Sequence, residues 1–117
     1  MNLGLCDVCF RVASAVQSKQ FYEQLGFEFA EGDPAQGWAI MAHRNLRLGL
    51  FEPMFMDSDA VSLNFRDGDV LANVAKLRES GIEPVSEPKI GKRGCSASFR
   101  DPDGHLIFLD SANLDLS

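Results

Sequence analysis

Few residues in this chain have the type and setting to do chemistry. Asp7 in LCDVCF and Asp110 at the end of HLIFLD are carboxylates within otherwise apolar stretches. Either one becomes a general base if burial raises its pKa. Arg11 and Arg47 lie in similar stretches; Arg11 can pair with Asp110, or Arg47 with Asp7, across strands. Trp38 and Phe51 offer flat faces to a planar or cationic ligand. The two histidines, His43 and His105, lack the spacing that would bring them together with carboxylates, so neither suggests a metal site. Cys6-Asp-Val-Cys9 has the spacing of a redox motif. On a strand, however, residues three apart point to opposite faces, so this pair suits neither a disulfide nor a metal. No nucleophile–base pair and no Gly-rich phosphate loop is evident.

These side chains must be positioned by strands. Alternation predicts a first strand over Leu3 to Val12. Ser14-Ala-Val-Gln17 has the pattern of a capping box, and a helix follows to about Leu25, stopped by Gly26. Phe27 to Ala30 is expected as a short strand, and Trp38 to His43 with Leu46 to Glu52 as a hairpin. The order then repeats. A strand is predicted over Val61 to Arg66. A helix capped by Asp67 or Asp69 follows, with Val70, Leu71, Val74 and Leu77 as its apolar stripe. A short strand over Ile82 to Val85 precedes a last hairpin, Ser96 to Arg100 and Leu106 to Asp110. Asp101-Pro102-Asp103-Gly104 has the composition of the tight turn that joins its strands. GKRG at 91–94 is expected as a flexible basic loop.

Parity sorts the strand residues into two faces. Cys6, Val8, Phe10, Leu48, Leu50, Val61, Leu63, Phe65, Ile107 and Leu109 should pack on the helices. The opposite face holds Asp7, Cys9, Arg11, Arg47, Gly49, Phe51, Ala60, Ser62, Asn64, Leu106, Phe108 and Asp110. A few polar groups on an apolar wall is what a ligand pocket needs.

At 117 residues, 45% hydrophobic and 24% charged, the chain is expected to be one globular domain of two similar halves, about 1–55 and 56–117. EQLGFE at 23–28 parallels RESGIE at 78–83. The net charge of −6 argues against a nucleic-acid partner, which would need clustered Lys and Arg. No apolar run is long enough for a membrane span. MNLGLCDVCF has neither a basic n-region nor a small-residue cleavage site, and three cysteines make no disulfide framework. A cytoplasmic location is expected.

FRVASAVQSKQFYEQLGFEF near the start and FRDPDGHLIFLD near the end, set in two βαβββ halves, resemble the vicinal oxygen chelate superfamily. That group includes glyoxalase I, extradiol dioxygenases and bleomycin-resistance proteins. The resemblance implies an α+β fold of two βαβββ modules, with curled mixed sheets and helices on their outer faces. It also implies a cavity on the concave faces, often completed in a homodimer. Such a dimer would join Asp7 and Arg47 of one chain with Asn64, Phe108 and Asp110 of its mate. Metal-dependent members take ligands from one position in the first and last strand of each half. Carried over by position, these are Asp7, Gly49, Ala60 and Phe108, of which only Asp7 can bind a metal. No metal and no cofactor are therefore expected.

The function expected is metal-free binding of a small organic molecule, an antibiotic among the candidates. Asp7, Cys9, Arg11, Trp38, Arg47, Gly49, Phe51, Ala60, Ser62, Asn64, Phe108 and Asp110 would line the site. The alternatives are a metal-independent lyase or isomerase with Asp7 or Asp110 as base, and a non-catalytic interaction protein.

Overall fold

The computed structural model describes residues 1–57 and 59–112. In chain order the elements are β1 (Gly4–Arg11), α1 (Ala15–Gln24), β2 (Glu28–Asp33), a 3-10 turn (Pro34–Gln36), β3 (Trp38–His43), β4 (Leu46–Phe51), β5 (Val61–Asp67), α2 (Val70–Glu79), β6 (Lys89–Gly91), β7 (Gly94–Arg100) and β8 (Leu106–Ala112). The class is α+β, and strand, helix and three strands occur twice, as the sequence predicts.

The chain forms two compact units. One comprises residues 7–62; the other joins residues 1–6 to the described residues from 63 onward. In the first unit the strand order is β2-β3-β4-β1, with β1 parallel to β4 and the other pairs antiparallel. In the second the order is β5-β8-β7-β6, with β6–β7 and β7–β8 antiparallel.

Each unit builds a core between its helix and one sheet face. Ala39, Met41, Leu48 and Leu50 form the first core, with Val8, Phe10, Tyr22 and Phe27 packed against them. Val70, Val74, Cys95, Ala97, Phe99 and Leu109 form the second, flanked by Leu3, Phe65, Leu77 and Ile107. The expected apolar face is realised at these positions but not at Cys6, Val61 or Leu63. Cys6 is exposed, and Val61 and Leu63 keep 51% and 38% of their surface open. Alternation sets the side to which a strand residue points but not what covers it. α1 packs on β2, β3 and β4, and α2 on β7 and β8. Leu71 also departs from its stripe and is 48% exposed, because Val70, Val74 and Leu77 already present one helix face to the sheet.

Both helices are capped. Gln17 N–H donates to Ser14 Oγ at 3.1 Å, and Ala72 N–H to Asp69 Oδ1 at 3.1 Å. α1 receives a second acceptor from far along the chain: Ala15 N–H donates to Glu52 Oε2 at 2.9 Å. Glu52, just past β4, thus places a carboxylate at the positive end of α1.

Three boundaries differ from expectation. No strand forms over 82–85. Pro84 and Pro88 have no N–H to donate, and only Val85 N–H reaches Ser98 O, at 2.8 Å. The edge strand lies instead at β6. GKRG is not a loose loop but a hairpin: Gly91 pairs with Gly94, and Lys92-Arg93 form its two-residue turn. β2 runs on to Asp33 past a bulge between Phe29 and Glu31.

The turn at 101–104 forms as predicted. Gly104 N–H donates to Asp101 O at 2.9 Å, and Gly104 has φ +91°, a conformation that side chains with a Cβ rarely adopt. Asp101 Oδ1 accepts from the N–H groups of Asp103 (3.0 Å) and His105 (2.8 Å), and its Oδ2 lies 2.8 Å from His105 Nδ1. His105 therefore serves the turn.

Candidate functional site

The first unit carries its chemistry on the sheet face opposite α1. Strand register sets the neighbours. Trp38 pairs with Phe51, which pairs with Arg11. Ile40 pairs with Gly49, which pairs with Cys9. Ala42 pairs with Arg47, beside Asp7. The middle of this face is closed: Asp7, Cys9 and Ile40 are 2%, 1% and 1% exposed, and Gly49 is buried.

Arg47 Nε donates to Asp7 Oδ1 at 2.6 Å, so the buried carboxylate has a cationic partner. The Nη2 of Arg47 is buried and makes no hydrogen bond; Glu31 Oε1 lies 3.7 Å from it. Trp38 and Phe51 stack with centroids 5.9 Å apart and planes within 4°. The same Phe51 ring covers Gly49: a Cβ built there would lie 2.6 Å from Phe51 Cε2 and 2.9 Å from Cys9 Sγ. Arg11 Nη1 donates to Asp57 O at 3.3 Å, and Arg11 N–H to Ala60 O at 2.9 Å. Ala60 itself is exposed and Ser62 is buried.

The second unit places a polar row on the face opposite α2. Lys89 pairs with Ser96, which pairs with Asp110; Ser98 pairs with Phe108. Phe108 and Asn64 are half-buried. Burial pushes the Asp110 carboxyl above its ordinary range, while the Arg66 guanidinium pulls it back and Asp67 adds to the rise. Burial also pushes up the Cys95 thiol, with Asp110 and Asp69 adding to the effect, so Cys95 is a poor nucleophile. An open groove of about 560 Å³ runs along the β6–β7 hairpin, lined by Lys89, Lys92, Arg93, Ser96 and Asp110. A second groove, about 580 Å³, lies between α2 and residues 87–90. Its wall is apolar, and Arg78 on its rim bonds Glu83 at 2.9 Å and Glu87 at 2.8 Å.

Sequence reasoning missed Lys89, Ser96 and Arg66. The signal was present in GCSASFR. Cys95, Ala97 and Phe99 are the buried parity, so Ser96 and Ser98 must face the other way. Lys89 escaped because the edge strand was expected seven residues too early.

Two βαβββ units, each with a helix over one sheet face and polar groups on the other, define the fold class. The glyoxalase/bleomycin resistance protein/dioxygenase superfamily model matches residues 5–109, and the chain belongs to that superfamily. Among solved structures, an NAD-dependent benzaldehyde dehydrogenase from Legionella pneumophila has TM-score 0.77 at 22% identity, covering 92% of this chain and 99% of that one. Methylmalonyl-CoA epimerase from Mycobacterium tuberculosis has TM-score 0.65 at 22% identity, covering 99% and 95%. A superfamily member from Vibrio splendidus 12B01 has TM-score 0.61 at 18% identity, covering 92% and 97%. At these identities the likeness is one of fold. A search of curated proteins finds no match.

The four residues that the resemblance sets at metal positions do not fit a metal ion. Asp7 is clasped by Arg47, Gly49 lies under an aromatic ring, and Ala60 and Phe108 carry no donor atom. Among the described residues, no three His, Cys, Asp or Glu side chains come together to hold a cation.

Proposed function

We propose that this chain binds a small organic molecule directly, without a metal ion, in the manner of a sequestering protein; an antibiotic is one candidate. The Asp7–Arg47 pair carries the reading. The one metal-competent side chain among the four positions is spent on a guanidinium, and that guanidinium keeps a buried nitrogen that makes no hydrogen bond and has Glu31 only at 3.7 Å. A buried unpaired donor costs about 1–3 kcal/mol, a cost that a ligand acceptor would remove. The Trp38–Phe51 stack offers a planar surface on the same face. Among the other site candidates, Arg11, Ala60, Asn64, Phe108 and Asp110 retain exposed surface, whereas Cys9, Gly49 and Ser62 act by shaping the wall from beneath. We read the protein as a homodimer. A cytoplasmic setting accords with Cys6, Cys9 and Cys95 forming no disulfide.

A second reading has its own support. The raised pKa of Asp110 suits a general base, so a metal-independent lyase or isomerase would use this carboxylate rather than Asp7, which is bound to Arg47.

A thermal-shift screen of antibiotics, organic metabolites and divalent metals tests both. A ligand present at 100 times its Kd stabilises by about 2.7 kcal/mol. A saturable shift with one organic class, without turnover, supports the first reading. Consumption of a compound supports the second. Stoichiometric metal retained after dialysis and lost in Asp7→Ala would overturn the metal-free assignment.

A further inference from the structure

The β6–β7 hairpin has a charge pattern unlike the rest of the molecule. The chain has 11 Lys and Arg against 17 Asp and Glu, so an anion is repelled by its overall field. Several cations elsewhere are paired with carboxylates: Lys19 with Glu23, Arg47 with Asp7, and Arg78 with Glu83 and Glu87. Lys89, Lys92 and Arg93 are different. They fall within five residues, line one groove, and make no ion pair or hydrogen bond with a described residue. The register Lys89↔Ser96 and Gly91↔Gly94 pins the backbone that carries them, so the three cations are held together rather than spread along a free loop.

The groove has one contrary charge. Asp110 lies across Ser96 from Lys89, with Arg66 acting on its other side. A carboxylate at this place repels an anion in direct contact but accepts from a hydroxyl or ammonium group. Ser96 stands between the two charges and can serve either partner.

We propose that this groove holds the anionic group of a small organic molecule, a phosphate or carboxylate, between Lys89, Lys92 and Arg93, with Asp110 accepting from a donor group next to it. The proposal rests on the reading that the chain binds a small organic molecule, and it deepens that reading by naming the ligand as an anion with an adjacent hydroxyl or amine. Three cations with no partner among the described residues are the condition for such a site, because each can give a charge-assisted hydrogen bond without first breaking an ion pair.

The experiment uses the full chain and three probes: glycerol 3-phosphate, glycerate and glycerol. Isothermal titration should show saturable binding of one or both anions and none of glycerol; comparing the two anions decides phosphate against carboxylate. The variant Lys89→Gln/Lys92→Gln/Arg93→Gln changes only exposed positions, and circular dichroism checks its fold. Its affinity for the preferred anion should fall by about tenfold or more, since several charge-assisted bonds are lost. The same affinity should weaken as salt rises from about 50 to about 300 mM. Binding of neither anion, or equal binding by wild type and variant, would overturn the proposal. Binding of neither anion, together with a neutral organic ligand that stabilises both proteins equally, would remove the anion site and leave the small-molecule reading standing.

Discussion

At Gly49 the chain leaves room for a hydrogen and little else. Phe51, two residues along the same strand, folds its ring over the position, and Cys9 closes it from β1. A glutamate at 49 must displace the ring and bury a charge beside an apolar wall. Gly49→Glu should therefore destabilise by about 3 kcal/mol or more, read as a lower urea midpoint. Adding Phe51→Ala should recover part of the loss, because the ring is the first obstacle, and the two changes should be non-additive. Dialysed Gly49→Glu should hold no stoichiometric zinc or nickel by elemental analysis. Metal at one ion per chain would show that a single restored carboxylate is enough.

On the scale of elements, the β7–β8 hairpin carries two carboxylates shifted in opposite directions. Asp101, in the turn, is held below its ordinary range first by the backbone N–H of His105 and next by its ring. Its stabilising contribution is present above the ordinary carboxylate pKa and is lost as pH falls through the lowered folded value. Asp110, at the far end of β8, is raised, chiefly by burial. Its contribution is present below the ordinary carboxylate pKa and is lost as pH rises through the raised folded value. Urea midpoints from pH 3 to pH 8 should separate the two. Asp101→Asn should be less stable than wild type at neutral pH, with the gap narrowing in acid. Asp110→Asn should match wild type in acid and fall less as pH rises past the carboxylate range. Parallel curves for wild type and both variants would show that neither carboxylate is linked to folding.

For the molecule as a whole, the exposed apolar side chains call for cover. Phe21, Leu25 and Phe29 in the first unit and Leu71, Ile82, Val85 and Ile90 in the second are each more than 40% exposed. β2 and β6 end the two strand orders with one main-chain edge open. A second copy of the chain is the commonest cover for such surface. Sedimentation equilibrium at micromolar concentration should give the mass of two chains, about 26 kDa from a 12.9 kDa protomer. A mass of one chain throughout the range would remove the dimer and confine the ligand site to a single chain.

The sequence by itself determined the element order, the class and the parity of most strand residues. Ser14 and Asp69 at helix starts, Gly104 in its turn, and the alternation through Val8 and Phe10 are local signals, and local signals are written in neighbouring residues. The capping of α1 by Glu52 spans 37 residues. The closing of Gly49 depends on the register of β1 against β4, and the row Lys89–Ser96–Asp110 on the register of three strands. Register is a property of pairing: it depends on which residues face one another across a sheet, and no short window of sequence contains both partners. Cover is decided in the same way. Val61 and Leu63 have the parity of core residues, but only the placement of α1 and α2 determined which strands the helices would bury.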